Sequence, residues 1–330
     1  SLKRTSGKAS NLGQPGGGSM DRKILTSSAV AVLLALSAAP RAVVLEEGFL
    51  PPNDMSIAVD SPDAKGITQD QFNAVMDRIQ DLYEPVVASQ GGRLVINRLW
   101  SDPTVNASAE RDESYYIINM YGGLARHESI TQDGMALVAC HEMGHHVGGA
   151  PKYGGSHWAS NEGQADYFAN LKCLRRVFTS PSAASFTRPK GDVETARAAC
   201  DKWHTKRADR DICVRASMAG MSVTDLFRVL RNETVLPRFD TPDPRTVNQM
   251  DDDHPRTQCR LDTYFAASLC PRPVSDGLDE SNPDTGTCTR LAGYTVGLRP
   301  RCWYKSRIGE VPKVPTLASA LDQTDLWKGF

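Results

Sequence analysis

The sequence is short of the features that mark several common classes of protein. Its 330 residues carry 38 Lys and Arg against 39 Asp and Glu, a formal net charge of -1. A nucleic-acid-binding surface needs a basic excess, so no nucleic acid is expected as a partner. Beyond residue 36, no apolar run approaches the about 20 residues that span a bilayer, so no stable membrane span is expected. No C-x-x-C pair occurs among the eight cysteines, which argues against a cysteine-held structural metal. No internal repeat is present, which sets aside solenoid architectures.

What is present divides the chain into five parts. Residues 1–19 end in Gly16-Gly17-Gly18-Ser19 and read as a tag and linker outside the fold. Met20 opens a secretory pattern over 20–42. Arg22 and Lys23 precede an apolar run from Ile24 to Leu36, and Ser37 to Ala42 is rich in small residues. The chain is therefore expected to be exported, to a periplasm or the extracellular medium. Residues 43–66, rich in Pro, Asp and Gly, read as a linker or pro-segment. Residues 67–270 form the main domain. Residues 271–330 form a Cys-, Pro- and Gly-rich extension that disulfides are expected to tie down.

An even cysteine count behind a secretory signal predicts disulfides, though roughly a hundred pairings are formally open. Cys259 and Cys270 share a predicted helix and lie about 16 Å apart along it, too far for a bond that needs Cα atoms within about 7 Å. The spacing favours Cys288 with Cys302 and Cys200 with Cys213. Cys140 and Cys173 read as buried free thiols.

The most informative stretch is His141-Glu142-Met143-Gly144-His145, which ends an apolar helical run from Met135 to Cys140. Residues four apart share a helix face, so His141 and His145 can bind one metal ion with Glu142 beside them as a base. The second segment is Ser160-Asn161-Glu162-Gly163-Gln164-Ala165-Asp166-Tyr167-Phe168-Ala169. Two His and one Glu make a catalytic zinc set, which keeps a fourth position for water. Asp166, one turn beyond Glu162, can accept a hydrogen bond from a ligand histidine and fix its tautomer. His146 falls about 140° away from the ligand face. It and loop residue His157 read as surface or supporting residues.

At these positions the chain resembles the gluzincin metallopeptidases, and within them the HtpX-type and CAAX-prenyl-protease-type family. The resemblance covers roughly residues 67–270. A third element, Asp253-His254-Pro255-Arg256-Thr257, resembles that family's His-Pro motif. Only 16 residues separate His145 from Glu162, fewer than is usual there, a departure that bears on the subfamily and not on the metal set. The resemblance implies an α+β, mainly helical zincin-like fold with a small sheet. It implies one Zn2+ per chain on His141, His145 and Glu162, and Glu142 as general base in peptide-bond hydrolysis. His254 would stabilise the transition state or act as a switchable fourth ligand, with Tyr264 a weaker candidate for the stabilising donor. It also implies an edge strand, assigned to Tyr116–Tyr121, along which a polypeptide substrate adds as a strand. The alternatives are a catalytically silent chaperone or scaffold of the same fold, and a latent protease blocked by His254.

Periodicity supplies the remaining elements. Phe72, Val75, Met76, Ile79, Leu82, Tyr83 and Val86 form one face of a helix over 68–87, with Thr68 and Gln71 as a capping box. Residues 93–100 and 114–121 read as strands. Asp133 or Thr131 caps the metal helix, and a second ligand helix covers 162–178. Helical segments follow at about 192–207 and 208–231, with Ser222 capping a last short helix. A further helix runs from Pro255 to about Leu269, after a loop that delivers His254.

Overall fold

The computed structural model describes residues 43–44, 48–154, 158–180, 183 and 193–306. Residues 1–19, the whole secretory pattern 20–42, His157 and residues 307–330 lie outside the described residues.

The molecule is built around one helix that is buried nearly all round. This is α3, Gln132–Val147, in which every residue but Val147 is buried. A helix buried on all faces needs partners on all faces. Helix α1, Gln69–Ser89, supplies one through Phe72, Val75, Met76, Ile79, Tyr83 and Val87. Its Thr68–Gln71 capping box forms as the sequence predicts. Strands β2 (Arg93–Leu99), β3 (Ala107–Asp112) and β4 (Tyr115–Tyr121) supply another. Helices α4 (Glu162–Phe168), α7 (Arg207–Leu230) and α5 (Leu174–Phe178) pack on the rest, α8 (Thr257–Leu269) lies against α4 and α7, α6 (Val193–Trp203) against α7, and α2 (Gly122–Arg126) follows β4. A π-helical turn, Ala169–Cys173, links α4 to α5. The class is α+β and mainly helical.

The sheet corrects two expectations. A two-residue strand β1, Val43–Val44, heads it, and the order is β1-β3-β4-β2. β2 runs parallel to β4, while β3 and β4 form an antiparallel hairpin. Tyr116–Tyr121 is therefore an internal strand, paired on both sides, and cannot take an added strand. Sequence reading overlooks β3 because its inward positions, Ala107 and Ala109, are small and its other residues polar. The supposed linker also belongs to the fold. Val43 and Val44 pair with Arg111 and Glu110, Phe49 N donates to Ala107 O, and Ile57 N donates to Pro103 O. Val43–Val44 thus lie antiparallel to β3, and residues 48–57 make further backbone bonds to Ala107 and to the residues just before it.

Four disulfides form, and their pairing departs from expectation at three of them. Cys200–Cys213 joins α6 to α7 as predicted. Cys140 and Cys173 are bonded to each other rather than free, so the residue before His141 is stapled to the segment that follows Asp166. Cys288 pairs with Cys270, and Cys302 with Cys259, instead of with one another. Both bonds fix the extension to α8, and Trp303 is fully buried there, its Nε1 donating to Thr263 Oγ1 at 3.0 Å. Trp303 lies against Gly163, where any Cβ would overlap the indole ring. The glycine after Glu162 therefore lets the extension seat against α4.

Ser222 sits within α7 rather than capping a separate helix. Its hydroxyl accepts from Thr131 N and donates to Ser129 O. Thr131 caps α3, and Asp133 instead forms a two-point pair with Arg215.

Candidate metal centre

The last turns of α3 and the first turn of α4 meet at the middle of the molecule. Asn161 caps α4 by accepting from Gln164 N, which sets Glu162 at the first helical position facing α3. The apposition brings His141, His145 and Glu162 together, with one ligand atom from each within 4.8 Å of the others. His141 Nε2 lies 3.0 Å from His145 Nε2. Glu162 oxygens lie 3.5 Å from the first and 3.4 Å from the second. A tetrahedral ion with bonds of about 2.0–2.2 Å holds its ligand atoms roughly 3.3 Å apart, so the three atoms already outline one face of such a site.

The outer nitrogens fix the tautomers. His141 Nδ1 lies 2.8 Å from Asp166 Oδ1, and His145 Nδ1 lies 2.8 Å from the Ser160 carbonyl. Both partners are acceptors, so each Nδ1 carries a proton and donates. In the neutral rings the two Nε2 lone pairs then face each other and the Glu162 carboxylate. That arrangement is repulsive unless a cation lies between them.

Charge accounting supports the same conclusion. Glu142, Glu162 and Asp166 are all 0 % exposed, and the one buried arginine beside them, Arg260, is also 0 % exposed. With every carboxylate ionised, the cluster carries two negative charges in excess, which a divalent ion balances. Neither oxygen of Glu142 has a hydrogen-bond partner, nor has Glu162 Oε2 or Asp166 Oδ2. Buried oxygens left so are uncommon and call for an explanation such as an ion. The donor set of two imidazoles and a carboxylate is one that zinc accepts. The residues present therefore fit a divalent metal.

Burial and neighbouring charge tune these groups. Burial pushes the Glu142 carboxyl up from 4.5 to about 8, only partly offset by His145 and Arg260. Burial works against the Glu162 carboxylate too, yet His254 and His141 hold it well below its ordinary range. Asp166 is lowered likewise, burial being outweighed by Arg260 and His141. The His141 imidazole, which burial alone would lower, is raised by Glu162 and Asp166. In the absence of an ion the cluster takes up protons instead.

Of the other sequence candidates, His254 stands beside the cluster and outside its ligand triad. Its Nε2 lies 2.8 Å from the Gly48 carbonyl oxygen and 3.5 Å from Glu162 Oε2. Tyr264 donates to Asp166 Oδ1 at 2.7 Å, which ties it to the carboxylate that orients His141. His146 is not a surface residue. Its Nε2 donates to Ile117 O, Arg111 donates to its Nδ1, and burial pushes its pKa down to about 3, so it stays neutral and clamps α3 to the sheet.

Sequence reasoning missed Arg260, whose Nη2 donates to Asp166 Oδ1 at 2.6 Å and lies 3.5 Å from Glu162 Oε2. It also missed Tyr153, whose hydroxyl donates to Glu162 Oε1 at 3.0 Å. A lone arginine in a helix carries no signal of its own, nor does a tyrosine in a glycine-rich loop. Only tertiary packing brings the two to the carboxylates.

The chain matches no known protein family, no curated protein and no solved structure. Among the described residues, no helix is long and apolar enough to cross a membrane.

Proposed function

We propose that this protein is a zinc-dependent endopeptidase of an oxidising, exported compartment, acting on secreted or envelope polypeptides. The observation that carries the reading is the convergence of His141 Nε2, His145 Nε2 and Glu162 with the unpartnered carboxylate of Glu142 next to them. A purely structural metal takes four protein ligands and needs no adjacent base. When bound, zinc supplies Lewis acidity that makes water nucleophilic near neutral pH.

The chain's own groups do the rest. Glu142 takes the proton from the attacking water and later delivers it to the leaving amine. His145 and Arg260 partly counter the burial that favours the protonated form of Glu142. Asp166 and the Ser160 carbonyl hold both imidazoles in the tautomer that presents Nε2. His254, whose Nε2 lies 3.5 Å from Glu162 Oε2 and donates to Gly48 O in this conformation, is the donor for a developing oxyanion once it is released from that carbonyl. The four disulfides support an oxidising compartment.

Glu142→Gln tests this directly. A missing general base costs about 10²–10⁴-fold in turnover, while metal content stays at the wild-type level. Wild-type turnover in that variant, read on a peptide library by mass spectrometry, contradicts the assignment. If the zinc-loaded wild type cleaves nothing, the silent scaffold becomes the better reading.

A further inference from the structure

The metal centre is closed. His141, Glu142 and Glu162 are 0 % exposed and His145 1 %, so a polypeptide does not reach them in this conformation. Loop residues Tyr153 and Asn161, the latter bonded to Asp252, cover one side. The other side is covered by Gly48, Phe49 and Leu50. The Phe49 ring stands edge-on to His141 at 4.9 Å, and its carbonyl accepts from Arg260 Nη1 at 3.2 Å. The Gly48 carbonyl accepts from His254 Nε2 at 2.8 Å.

The same segment fills a strand edge. Val43 and Val44 pair antiparallel with β3, Phe49 N donates to Ala107 O, and Leu50 makes both backbone bonds to the Asn106 side chain. Met55 O and Ile57 N continue the contact to Val105 and Pro103. β3 is the outer strand on the side of the sheet next to α3. Its edge is thus where an extended chain gains main-chain hydrogen bonds while passing the metal ligands, and here the protein's own chain has that place. Gly48 has no room for a side chain, since a Cβ would overlap Ala107 O and crowd Asn106 Oδ1.

We propose that Val43–Val44 and residues 48–50 act as an autoinhibitory strap that occupies the substrate's place on the β3 edge, seals the metal centre and engages His254. This rests on the endopeptidase reading for its meaning, but the closure itself is testable without activity. With the strap in place, the Nε2–H of His254 is committed to Gly48 and cannot serve a substrate carbonyl. Displacing the strap opens the edge, the metal and His254 together.

Two perturbations lift the strap without touching the metal ligands. Gly48→Val forces the backbone away from β3. A specific-protease site inserted between Pro52 and Asn53, in a partly exposed stretch, cuts the folded, disulfide-bonded chain behind the strap. The first readout is the rate at which a chromogenic chelator strips zinc from the loaded protein. It should rise at least about tenfold, as when an open state populated below about one-tenth becomes dominant. A peptide with the sequence of residues 43–52, added to the cut protein, should slow the stripping again. Peptidase activity is the second readout and should rise in parallel. Unchanged stripping in both the variant and the cut protein, with circular dichroism showing them folded, overturns the strap. Faster stripping with no cleavage of any peptide upholds the strap and overturns the endopeptidase reading.

Discussion

Helix α3 carries two buried clusters of charge, one at each end, and they are built on opposite principles. At its first turn Asp133 meets Arg215, both oxygens taken by the guanidinium at 2.7 and 2.6 Å, and neither residue has a buried side-chain atom lacking a hydrogen-bond partner. At its last turns, Glu142, Glu162 and Asp166 share one arginine, and four of their oxygens have no hydrogen-bond partner. The first cluster is balanced as it stands and holds α3 to α7. The second is balanced only when a cation or protons join it. A buried charge that is fully paired is structure; a buried cluster with excess charge and open lone pairs is a binding site.

The contrast can be broken at its closed end. Arg215→Ala leaves Asp133 buried and uncompensated, and should cost about 3–5 kcal/mol in denaturant unfolding whether or not zinc is present. A cost that disappears on adding zinc would mean that the two ends of α3 are coupled rather than separate. Next in size is the staple between the ligand helices. Removing the Cys140–Cys173 bond by Cys140→Ser with Cys173→Ser frees a loop with a sequence separation of 33. Loop entropy predicts a loss of about 4 kcal/mol. Because the bond ties the residue before His141 to the turn after Asp166, zinc affinity should fall as well, measurable by competition with a calibrated chelator. Unaltered affinity would show that packing alone sets the ligand geometry.

The smallest effect is a pH slope. Glu142, raised to about 8, and His141, also raised, both bind protons more tightly folded than unfolded. Stability therefore falls as pH rises, from about 5 upward through the folded pKa values, in the metal-free protein. Glu142→Gln should flatten part of that slope, and zinc most of it. A thermal midpoint that climbs with pH over the same range would contradict the assignment.

The two clusters also mark what the sequence can and cannot say. His141, Glu142, His145, Glu162 and Asp166 are legible because each pair that matters lies within one helix at a spacing of four, or side by side. The helical face of α1 and the Cys200–Cys213 pairing are legible for the same local reason. Arg260, Tyr153 and the Asp133–Arg215 pair join residues far apart in the chain, and nothing local distinguishes them. Cys288 and Cys302 mislead because each lies nearer in sequence to the other than Cys302 does to its true partner. β3 escapes notice because alanine fills its inward positions, and with it goes the edge that the N-terminal segment covers. Without β3, Tyr116–Tyr121 reads as an edge strand.

The central claim is that the open cluster holds one divalent ion on three named side chains. Metal analysis of the purified protein, with His141→Ala and Glu142→Gln prepared alongside, tests it most directly. One zinc per chain is predicted in the wild type and in Glu142→Gln, and none retained in His141→Ala. A wild type that takes up no metal when zinc is supplied, or a His141→Ala variant that keeps it, would contradict the claim.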